Sequence, residues 1–349
     1  MRNEIRTQRV SAWPAARALT LTLSLALSWL GLSWPVLTHA ADACTSASVE
    51  PGWHTFTVRT GGRERQVPLY VPASGAGRTP LPLVFDLHGS GGSGLKQAAH
   101  SGLPAEADRH AFLVASPDGG ISDPANPTAH YWNLPGVPLI GSLATPADAL
   151  DDVQFFRDAI QQIGKAACID THRVYVTGFS GGARMASLLA CELADQFAAV
   201  APVAGLRAGM AQAGDYTKPD ARTCVPSRPV PIITFHGIHD PQNRFDGDRE
   251  KRWGYSVPVA LAQWAKLDGC QATAAEQKVS AHVTKVSYSG CRGAAQLVLY
   301  RTDAPLDHGG GHIWPHPTRT GSTAAADVEA VDQLDATALI WEFFAQHQS

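Results

Sequence analysis

The sequence predicts an α/β fold in which a mostly parallel central sheet carries helices on both faces. Apolar runs typical of buried strands alternate with amphipathic stretches along most of the 349 residues, and this alternation is typical of parallel sheets. The segment GFSGG at residues 178–182 lies between a strand pattern and a helix pattern. Several predicted strands also end in glycine-rich or polar loops, and sheets of this class display functional groups at the carboxyl ends of their strands.

The predicted elements follow one another in a regular order. Residues 53–58 and 66–71 predict an opening antiparallel pair. Further strands are predicted at 83–87, 112–116, 173–177, 230–235 and 297–301, and helices at 96–109, 151–165, 183–190, 257–268 and 335–347. Asp151 and Asp152 are expected to cap their helix. Residues 119–149, rich in Pro, Gly and Ala, predict a long excursion over the functional face.

The segment at residues 178–182 has the G-x-S-x-G pattern of a nucleophile elbow. A serine on a sharp turn from strand to helix needs small neighbours, because larger side chains would clash with the backbone and block access to the hydroxyl. Ser180 is therefore the predicted nucleophile. The alternative is a glycine-rich turn whose serine only caps the helix, and the flanking strand and helix patterns disfavour it.

A serine hydroxyl needs a general base and an acid that orients the base. Asp240 follows the strand predicted at 230–235, and His312 lies in a glycine-rich loop. The chain order Ser, Asp, His is that of the α/β-hydrolases. We therefore predict Ser180, Asp240 and His312 as a catalytic triad. Residues of the same types nearby remain alternatives: His239, His308 and His316 for the base, and Asp246 and Asp248 for the acid.

An oxyanion hole requires backbone N–H groups that point at the developing negative charge. Gly181, directly after the nucleophile, is the first predicted donor, and Ser90 in the glycine-rich loop 88–94 is the second. That loop lacks the Gly-Lys-Ser/Thr ending of a nucleotide-binding loop, which disfavours phosphate binding. His88 and His236, which both end strands, are predicted to brace their loops by hydrogen bonds.

Together these motifs resemble the secreted polyhydroxybutyrate depolymerase and feruloyl esterase group of α/β-hydrolases. The likeness extends from Trp53 to Phe344 and is carried by HG at 88–89, DDV at 151–153, RVYVTG at 173–178, HG at 236–237 with Asp240, and GGGH at 309–312. It implies a serine carboxylesterase with an α/β-hydrolase fold and the same triad. Members of the group often have Ala after the nucleophile and Cys two residues after the first-strand His, where this chain has Gly181 and Ser90.

The N-terminus predicts export. Four arginines precede an apolar stretch at residues 19–37, and the small residues around 38–40 suit cleavage after Ala40. We therefore predict a signal peptide at residues 1–40 and a single catalytic domain at 41–349, secreted or periplasmic and without a stable membrane anchor after cleavage. An uncleaved anchor and lipidation at Cys44 are the alternatives.

Six cysteines in an exported chain indicate disulfides. Local spacing suggests the pairs Cys44–Cys168, Cys191–Cys224 and Cys270–Cys291. No cysteine pair has the close spacing of a zinc ribbon, so no metal is predicted. The mechanism also requires no organic cofactor.

The composition is that of one compact enzyme, with 44% hydrophobic residues and a formal charge of −3. Without a basic surplus, nothing predicts a nucleic-acid partner. The expected partner is an ester, either a hydroxyalkanoate oligomer or a hydroxycinnamoyl (feruloyl) or acetyl ester of a polysaccharide. Trp132 and Trp314 are candidates for the pocket wall. A serine peptidase and a non-catalytic polymer- or carbohydrate-binding protein with the same fold are the alternative functions.

Overall fold

A ten-stranded sheet lies at the centre of the structure, a computed structural model that describes residues 49–75, 80–141, 143–306, 310–315 and 334–349. The strands of these residues are, in chain order, β1 Gly52–Thr60, β2 Arg63–Val71, β3 Leu81–Leu87, β4 Leu113–Ala115, β5 Ile121–Asp123, β6 Asn126–Tyr131, β7 Ile169–Phe179, β8 Ala199–Val203, β9 Ala211–Gln212, β10 Asp215–Pro219, β11 Ile232–Gly237, β12 Ala275–Lys278, β13 Val283–Tyr288 and β14 Leu297–Thr302. The α-helices are α1 Gly94–Ser101, α2 Leu103–His110, α3 Asp152–Ala166, α4 Gly181–Glu192, α5 Val257–Leu267 and α6 Ala336–Phe344.

The central sheet is parallel in its middle and antiparallel at both edges. Its strand order is β1-β2-β4-β3-β7-β8-β11-β14-β13-β12. The six strands from β4 to β14 pair in parallel, whereas β1 and β2 at one edge and β13 and β12 at the other run antiparallel to their neighbours. The predicted mostly parallel α/β sheet and the opening antiparallel pair are therefore confirmed.

Helices cover both faces because the central strands are apolar on both sides. Successive side chains of a strand point to opposite faces. Accordingly, Phe85 of β3 packs in one core cluster with residues of α3, α4 and α5, while Val84 packs in a second cluster with residues of α2 and α6. Both side chains are fully buried. The near-continuous apolar runs that predicted core strands follow from this double burial.

The helix predicted at 96–109 is two helices, α1 and α2. Gly102 separates them with a left-handed backbone (φ 72°), and its N–H closes α1 on the Ala98 carbonyl at 3.1 Å. Glycine adopts this conformation without the steric cost that a side chain imposes. Pro104 then lies in the first turn of α2, where its missing N–H costs nothing.

The two aspartates at the start of α3 have different roles. Asp151 accepts hydrogen bonds from the backbone N–H groups of Val153 and Gln154, which confirms the predicted cap. Asp152 does not cap the helix. Its buried carboxylate pairs with Arg65 and accepts the N–H of Asn133 at 2.7 Å. Asp152 therefore ties the segment after β6 to the edge of the sheet.

The segment between Cys270 and Cys291 contains β12 and β13 and extends the central sheet. The structure joins Cys270 to Cys291 with a Cα–Cα distance of 3.7 Å, and Cys191 to Cys224 with a Cα–Cα distance of 4.8 Å. Both are pairs that spacing suggested. Cys44 lies outside the described residues, so its pairing with Cys168 stays a prediction, as does the signal peptide at 1–40. No helix of the described ranges has the length and apolar character needed to cross a membrane.

Candidate active site

Ser180 lies at a sharp turn between β7 and α4. Its backbone has φ 55° and ψ −110°, a combination that a non-glycine residue adopts only when its surroundings enforce it. The Ser180 N–H donates to the Val203 carbonyl of β8 at 2.9 Å, and the Ser180 carbonyl accepts the N–H of Arg184 at 3.1 Å. The turn is therefore held from the sheet on one side and from the first turn of α4 on the other.

The glycines around Ser180 allow neighbouring backbone to approach closely. A Cβ on Gly178 would lie 2.7 Å from the carbonyl carbon of Gly182, and a Cβ on Gly182 would lie 2.2 Å from the carbonyl oxygen of Leu87. Neither distance is compatible with a side chain. The spacing of the elbow motif is thus a packing requirement of this turn.

Gly181 and Ser90, the two predicted oxyanion donors, are in contact. A Cβ on Gly181 would lie 2.4 Å from Ser90 Oγ and 2.9 Å from the Ser90 nitrogen. The two residues therefore lie side by side, with Gly181 directly after the nucleophile. At these two positions the group that the chain resembles often has Ala and Cys. The two differences from the group therefore lie at neighbouring positions in the structure.

His88 braces the loop that carries Ser90. Its Nε2 accepts the N–H of Gly119 at 2.9 Å, so Nδ1 carries the proton and donates to the Gly89 carbonyl at 2.8 Å. The ring stacks on Trp132, whose indole N–H donates to the His88 carbonyl at 2.8 Å. Burial lowers the pKa of His88 to about 4, so the ring is neutral at pH 7. The predicted bracing role fits these contacts.

Asp240 and His312 meet beyond the end of β11. Asp240 Oδ2 accepts a hydrogen bond from His312 Nδ1 at 2.6 Å, and Oδ1 accepts the N–H groups of Gln242 and Asn243, each at 2.8 Å. Burial alone would raise the pKa of Asp240, but hydrogen bonds from His236 and His312 outweigh burial and hold the pKa well below its usual range. Asp240 is therefore an anion at neutral pH.

The loop that carries His312 packs closely against β11 and the elbow. A Cβ on Gly237 would lie 2.1 Å from the Gly310 carbonyl oxygen, and the same oxygen accepts the N–H of His239 at 3.1 Å. The ring of His312 packs on Phe179, the residue before Ser180, with 4.7 Å between ring centroids. These contacts bring the predicted base to the elbow.

The alternative triad residues differ from Asp240 and His312 in their surroundings. His239 and Asp246 are exposed. Asp248 accepts the backbone N–H groups of Glu250 and Gly254, each at 2.8 Å, within its own loop. His308 and His316 lie outside the described residues. Of the candidate pairs that can be compared, Asp240 with His312 is the one joined by a hydrogen bond.

The two candidate pocket tryptophans have different positions. Trp132 is buried and lines a cavity together with Ser90 and Gly181. Trp314 occupies a core position, where its indole N–H donates to the Thr337 hydroxyl at 3.0 Å and its ring belongs to the cluster that α6 covers. Trp314 therefore fastens the His312 loop to α6, which differs from the pocket wall that the sequence suggested.

Sequence reasoning did not single out Arg184, Arg207 and Arg252. All three line cavities beside the elbow. The available signal was the position of Arg184, one helical turn after Ser180 in an otherwise apolar helix. In the described ranges, no group of three or more His, Cys, Asp or Glu side chains is arranged to hold a metal ion.

Comparison with known proteins gives a family match and several relatives. The model of the family described as Esterase PHB depolymerase matches residues 66–237. The chain is 31% identical to "Putative esterase NocK" of Nocardia uniformis subsp. tsuyamanensis, over 82% of this chain and 80% of that protein. It is 30% identical to feruloyl esterase B of Piromyces equi over 71% of this chain, but spans only 42% of that protein's length.

Solved structures share the fold at low identity. An acetyl xylan esterase from Aspergillus awamori aligns with a TM-score of 0.51 at 17% identity, covering 75% of this chain and 95% of that one. An S-formylglutathione hydrolase from Agrobacterium tumefaciens aligns with a TM-score of 0.52 at 14% identity, covering 86% and 98%. Both are similar in architecture, with the central sheet and helical layers in common.

Proposed function

Since the chain belongs to the PHB depolymerase family of esterases and is a carboxylic ester hydrolase, we propose that it cleaves esters through an acyl-enzyme on Ser180, with His312 as general base and Asp240 as the acid that orients it. One observation carries this assignment: the 2.6 Å hydrogen bond from His312 Nδ1 to Asp240 Oδ2. A proton fixed on Nδ1 leaves the Nε2 lone pair to accept the serine proton.

The proposed reaction has two halves. His312 takes the proton of the Ser180 hydroxyl as the oxygen attacks the ester carbonyl, and the N–H groups of Gly181 and Ser90 stabilise the oxyanion. Collapse of the tetrahedral intermediate breaks the ester C–O bond, and His312 gives its proton to the leaving alcohol. Water then attacks the acyl-enzyme with His312 again as base, which releases the carboxylic acid and restores Ser180.

The contacts of His88 and Asp240 support the roles proposed for the oxyanion donors and for His312. His88, with its neutral ring bonded to Gly89 and Gly119, holds the loop in one conformation before substrate arrives. Preorganised donors stabilise a transition state without the cost of reorienting during the reaction. Asp240, kept ionised, stabilises the imidazolium that forms on His312.

The names of the relatives and the predicted export support a proposal for the substrate class. Named relatives include feruloyl esterases and a bifunctional acetylxylan esterase/xylanase of Neocallimastix patriciarum. We propose that the protein is secreted or periplasmic and acts on hydroxyalkanoate oligomers or on feruloyl or acetyl esters of polysaccharides. The signal peptide at residues 1–40 remains part of this proposal.

The test is a rate comparison between the mature protein and its Ser180→Ala variant on p-nitrophenyl butyrate, methyl ferulate and hydroxybutyrate oligomers. We expect the variant to lose at least about 10³-fold in kcat on every ester that the wild type cleaves. Ser289→Ala, which removes an exposed hydroxyl directly after β13, is the matched control. Wild-type rates in Ser180→Ala would exclude the proposed nucleophile.

A further inference from the structure

A cavity beside the elbow contains arginines without carboxylate partners. Arg184 lies on α4 one turn after the nucleophile, Arg207 follows β8, and Arg252 precedes α5. In the described part of the chain, no Asp or Glu oxygen lies within 4.0 Å of a nitrogen of these three side chains. Asp248 attracts all three from a longer distance, so three positive charges share one region with a carboxylate that none of them contacts.

Their donors are buried and only partly used. Arg184 is 5% exposed and Arg207 8% exposed. Arg184 Nη1 donates to the Arg252 carbonyl at 3.1 Å, and Arg207 Nη1 donates to the Tyr255 carbonyl at 2.7 Å. Among the described residues, no acceptor is bonded to Nε of Arg184, Nε of Arg252, or Nε and Nη2 of Arg207. Buried donors without acceptors are rare in folded proteins and indicate a missing partner.

Burying these charges close together disfavours the protonated form of the arginines and lowers their pKa values. Burial lowers the pKa of Arg184 to about 9, and repulsion from Arg252 and Arg207 adds to the effect. Arg207 is partly compensated by aromatic rings, because its guanidinium carbon lies 3.2 Å from the ring centroid of Trp253 and 4.4 Å from that of Tyr255. An anion bound among these groups would relieve the repulsion and satisfy the free donors.

The arginine cavity adjoins the proposed oxyanion site. Its apolar wall is formed by Leu134, Val137, Leu188, Met210 and Trp253. A smaller cavity next to it is lined by Ser90, Gly181 and Trp132. Both cavities share Leu134, Val137, Arg184 and Arg252 as lining residues. A molecule with its carbonyl at Ser90 and Gly181 can therefore extend between apolar walls toward the arginines.

We propose that Arg184, Arg207 and Arg252 form a carboxylate-binding site for an ester that carries a free acid group near its scissile bond. This inference rests on the proposed function, since it assigns the substrate of the same nucleophile. Planar guanidinium groups match a carboxylate in geometry and charge, and the apolar walls match a short branched hydrocarbon chain.

The site distinguishes between the two substrate classes. In a short hydroxyalkanoate oligomer the terminal carboxylate lies on the leaving hydroxy acid, a few bonds from the ester oxygen. A feruloyl or acetyl ester of a neutral sugar has no such group and would leave the arginines unpaired. The arrangement therefore favours short hydroxy-acid oligomers with a free acid end. Cleavage would release a free hydroxy acid from the arginine side of the site.

The experiment compares the 3-hydroxybutyrate dimer as its free acid with the methyl ester of the same dimer. The two differ at the terminal carboxylate and share the internal ester bond. We expect the wild type to cleave that bond in the acid with a kcat/KM about 10-fold or more above that for the methyl ester, mainly through KM, because a charge-assisted pair is lost in the methyl ester. We expect Arg252→Gln and Arg184→Gln to reduce this preference toward 1, and Arg184→Lys to restore part of it.

Arg59→Gln is the matched control, because it removes the same charge from a side chain that is 81% exposed at the sheet edge. It should leave the preference unchanged. Calorimetric titration of both dimer forms into the Ser180→Ala variant gives a readout that needs no turnover. A ten-fold tighter binding of the acid, lost in Ser180→Ala/Arg252→Gln, would support the site.

The outcomes separate the two proposals. Cleavage of both dimers with equal kcat/KM, unchanged in the arginine variants, would overturn the carboxylate site and leave the esterase standing. Failure to cleave either dimer, methyl ferulate or p-nitrophenyl butyrate would count against the proposed mechanism. In that case tight binding of the acid alone would still support the arginine site, and equal or absent binding of both forms would reject it.

Discussion

Two buried polar regions border Ser180, and they differ in how their hydrogen bonds are used. On one side, both carboxylate oxygens of Asp240 accept hydrogen bonds, one of them from His312. On the other side, the guanidinium groups of Arg184 and Arg207 keep buried donors without acceptors among the described residues. A carboxylate whose two oxygens both accept hydrogen bonds is held in one geometry, whereas unpaired buried donors are complementary to a group that is still to arrive. The first region suits catalysis and the second suits recognition.

A substitution that breaks the hydrogen bond between Asp240 and His312 should have the largest effect on kcat. Asp240→Asn preserves size but removes the charge that stabilises the His312 imidazolium, and it favours the wrong tautomer of the ring. We expect kcat to fall by about 10³ to 10⁴-fold, with KM little changed. Steady-state kinetics on p-nitrophenyl butyrate provide the measurement. Asp246→Asn, at an exposed position, is the control, and an equal loss there would reassign the acid.

The contact between Gly181 and Ser90 gives the next largest effect. Gly181→Ala places a methyl group 2.4 Å from Ser90 Oγ and 2.9 Å from the Ser90 nitrogen, so it should displace an oxyanion donor. We expect a loss of about 10 to 100-fold in kcat, because small misplacements of catalytic groups are costly. In the Ser90→Ala background the same change should cost less, since the hydroxyl is gone. A double-mutant cycle with strictly additive effects would argue against this coupling.

His88 tests whether a buried histidine near the nucleophile positions the loop or takes part in proton transfer. His88→Gln removes the bridge between Gly89 and Gly119, and we expect a loss of about 2 kcal/mol in the free energy of unfolding at pH 7, together with a lower kcat. The pH profile of kcat/KM should keep its wild-type shape. A profile that loses one titrating limb would instead make His88 a proton donor or acceptor.

The same residue predicts how stability depends on pH. The pKa of His88 is about 4 in the folded protein, below the ordinary value of 6.5, so the unfolded chain binds the proton first. The contribution of His88 to stability is therefore present above pH 6.5 and is lost as the pH falls toward 4. Chemical denaturation between pH 4 and 7 should show a shallower decline in His88→Gln than in the wild type.

Asp268 is a buried carboxyl group outside the two regions compared above. Its substitution is expected to have the smallest effect. Its Oδ1 accepts the Val230 N–H at 2.9 Å, while Oδ2 is buried without a partner among the described residues. Burial raises the pKa of Asp268 to about 7, so the folded protein binds the proton first and stability falls as the pH rises from about 4 to about 7. Asp268→Asn should gain about 1 to 2 kcal/mol at pH 8 and little at pH 4, as measured by urea denaturation. A loss at pH 8 would contradict this sign.

The sequence predicted the parts of this fold that depend on local pattern. Strands buried on both faces appear as apolar runs, and the elbow is recognisable because Gly178 and Gly182 are each required by backbone contacts. β8 was not predicted because three of the five residues in its sequence, AVAPV, are Ala or Pro, which are depleted in strands. β12 and β13 were missed because β12 is exposed along its whole length and both sequences, AEQK and VTKVSY, contain many polar residues.

The arginine cavity could not be predicted for a different reason. Arg184, Arg207 and Arg252 come from three separate segments. The apolar neighbours of Arg184 in α4 indicate its burial, but nothing local indicates that the three side chains share one cavity or lack acceptors. That property exists only when the sheet brings the segments together. Asp240 and His312 are also distant in sequence, but they could be predicted because the triad residues of α/β-hydrolases follow a fixed order along the chain.

Ester cleavage by this protein is proposed to pass through an acyl group on Ser180. The most direct test is mass spectrometry of the protein quenched during turnover of p-nitrophenyl butyrate, followed by peptide mapping. We predict a butyryl adduct on the peptide that contains Ser180, and its absence in Ser180→Ala. Turnover without any adduct on that peptide, or an adduct on another residue that persists in Ser180→Ala, would contradict the account.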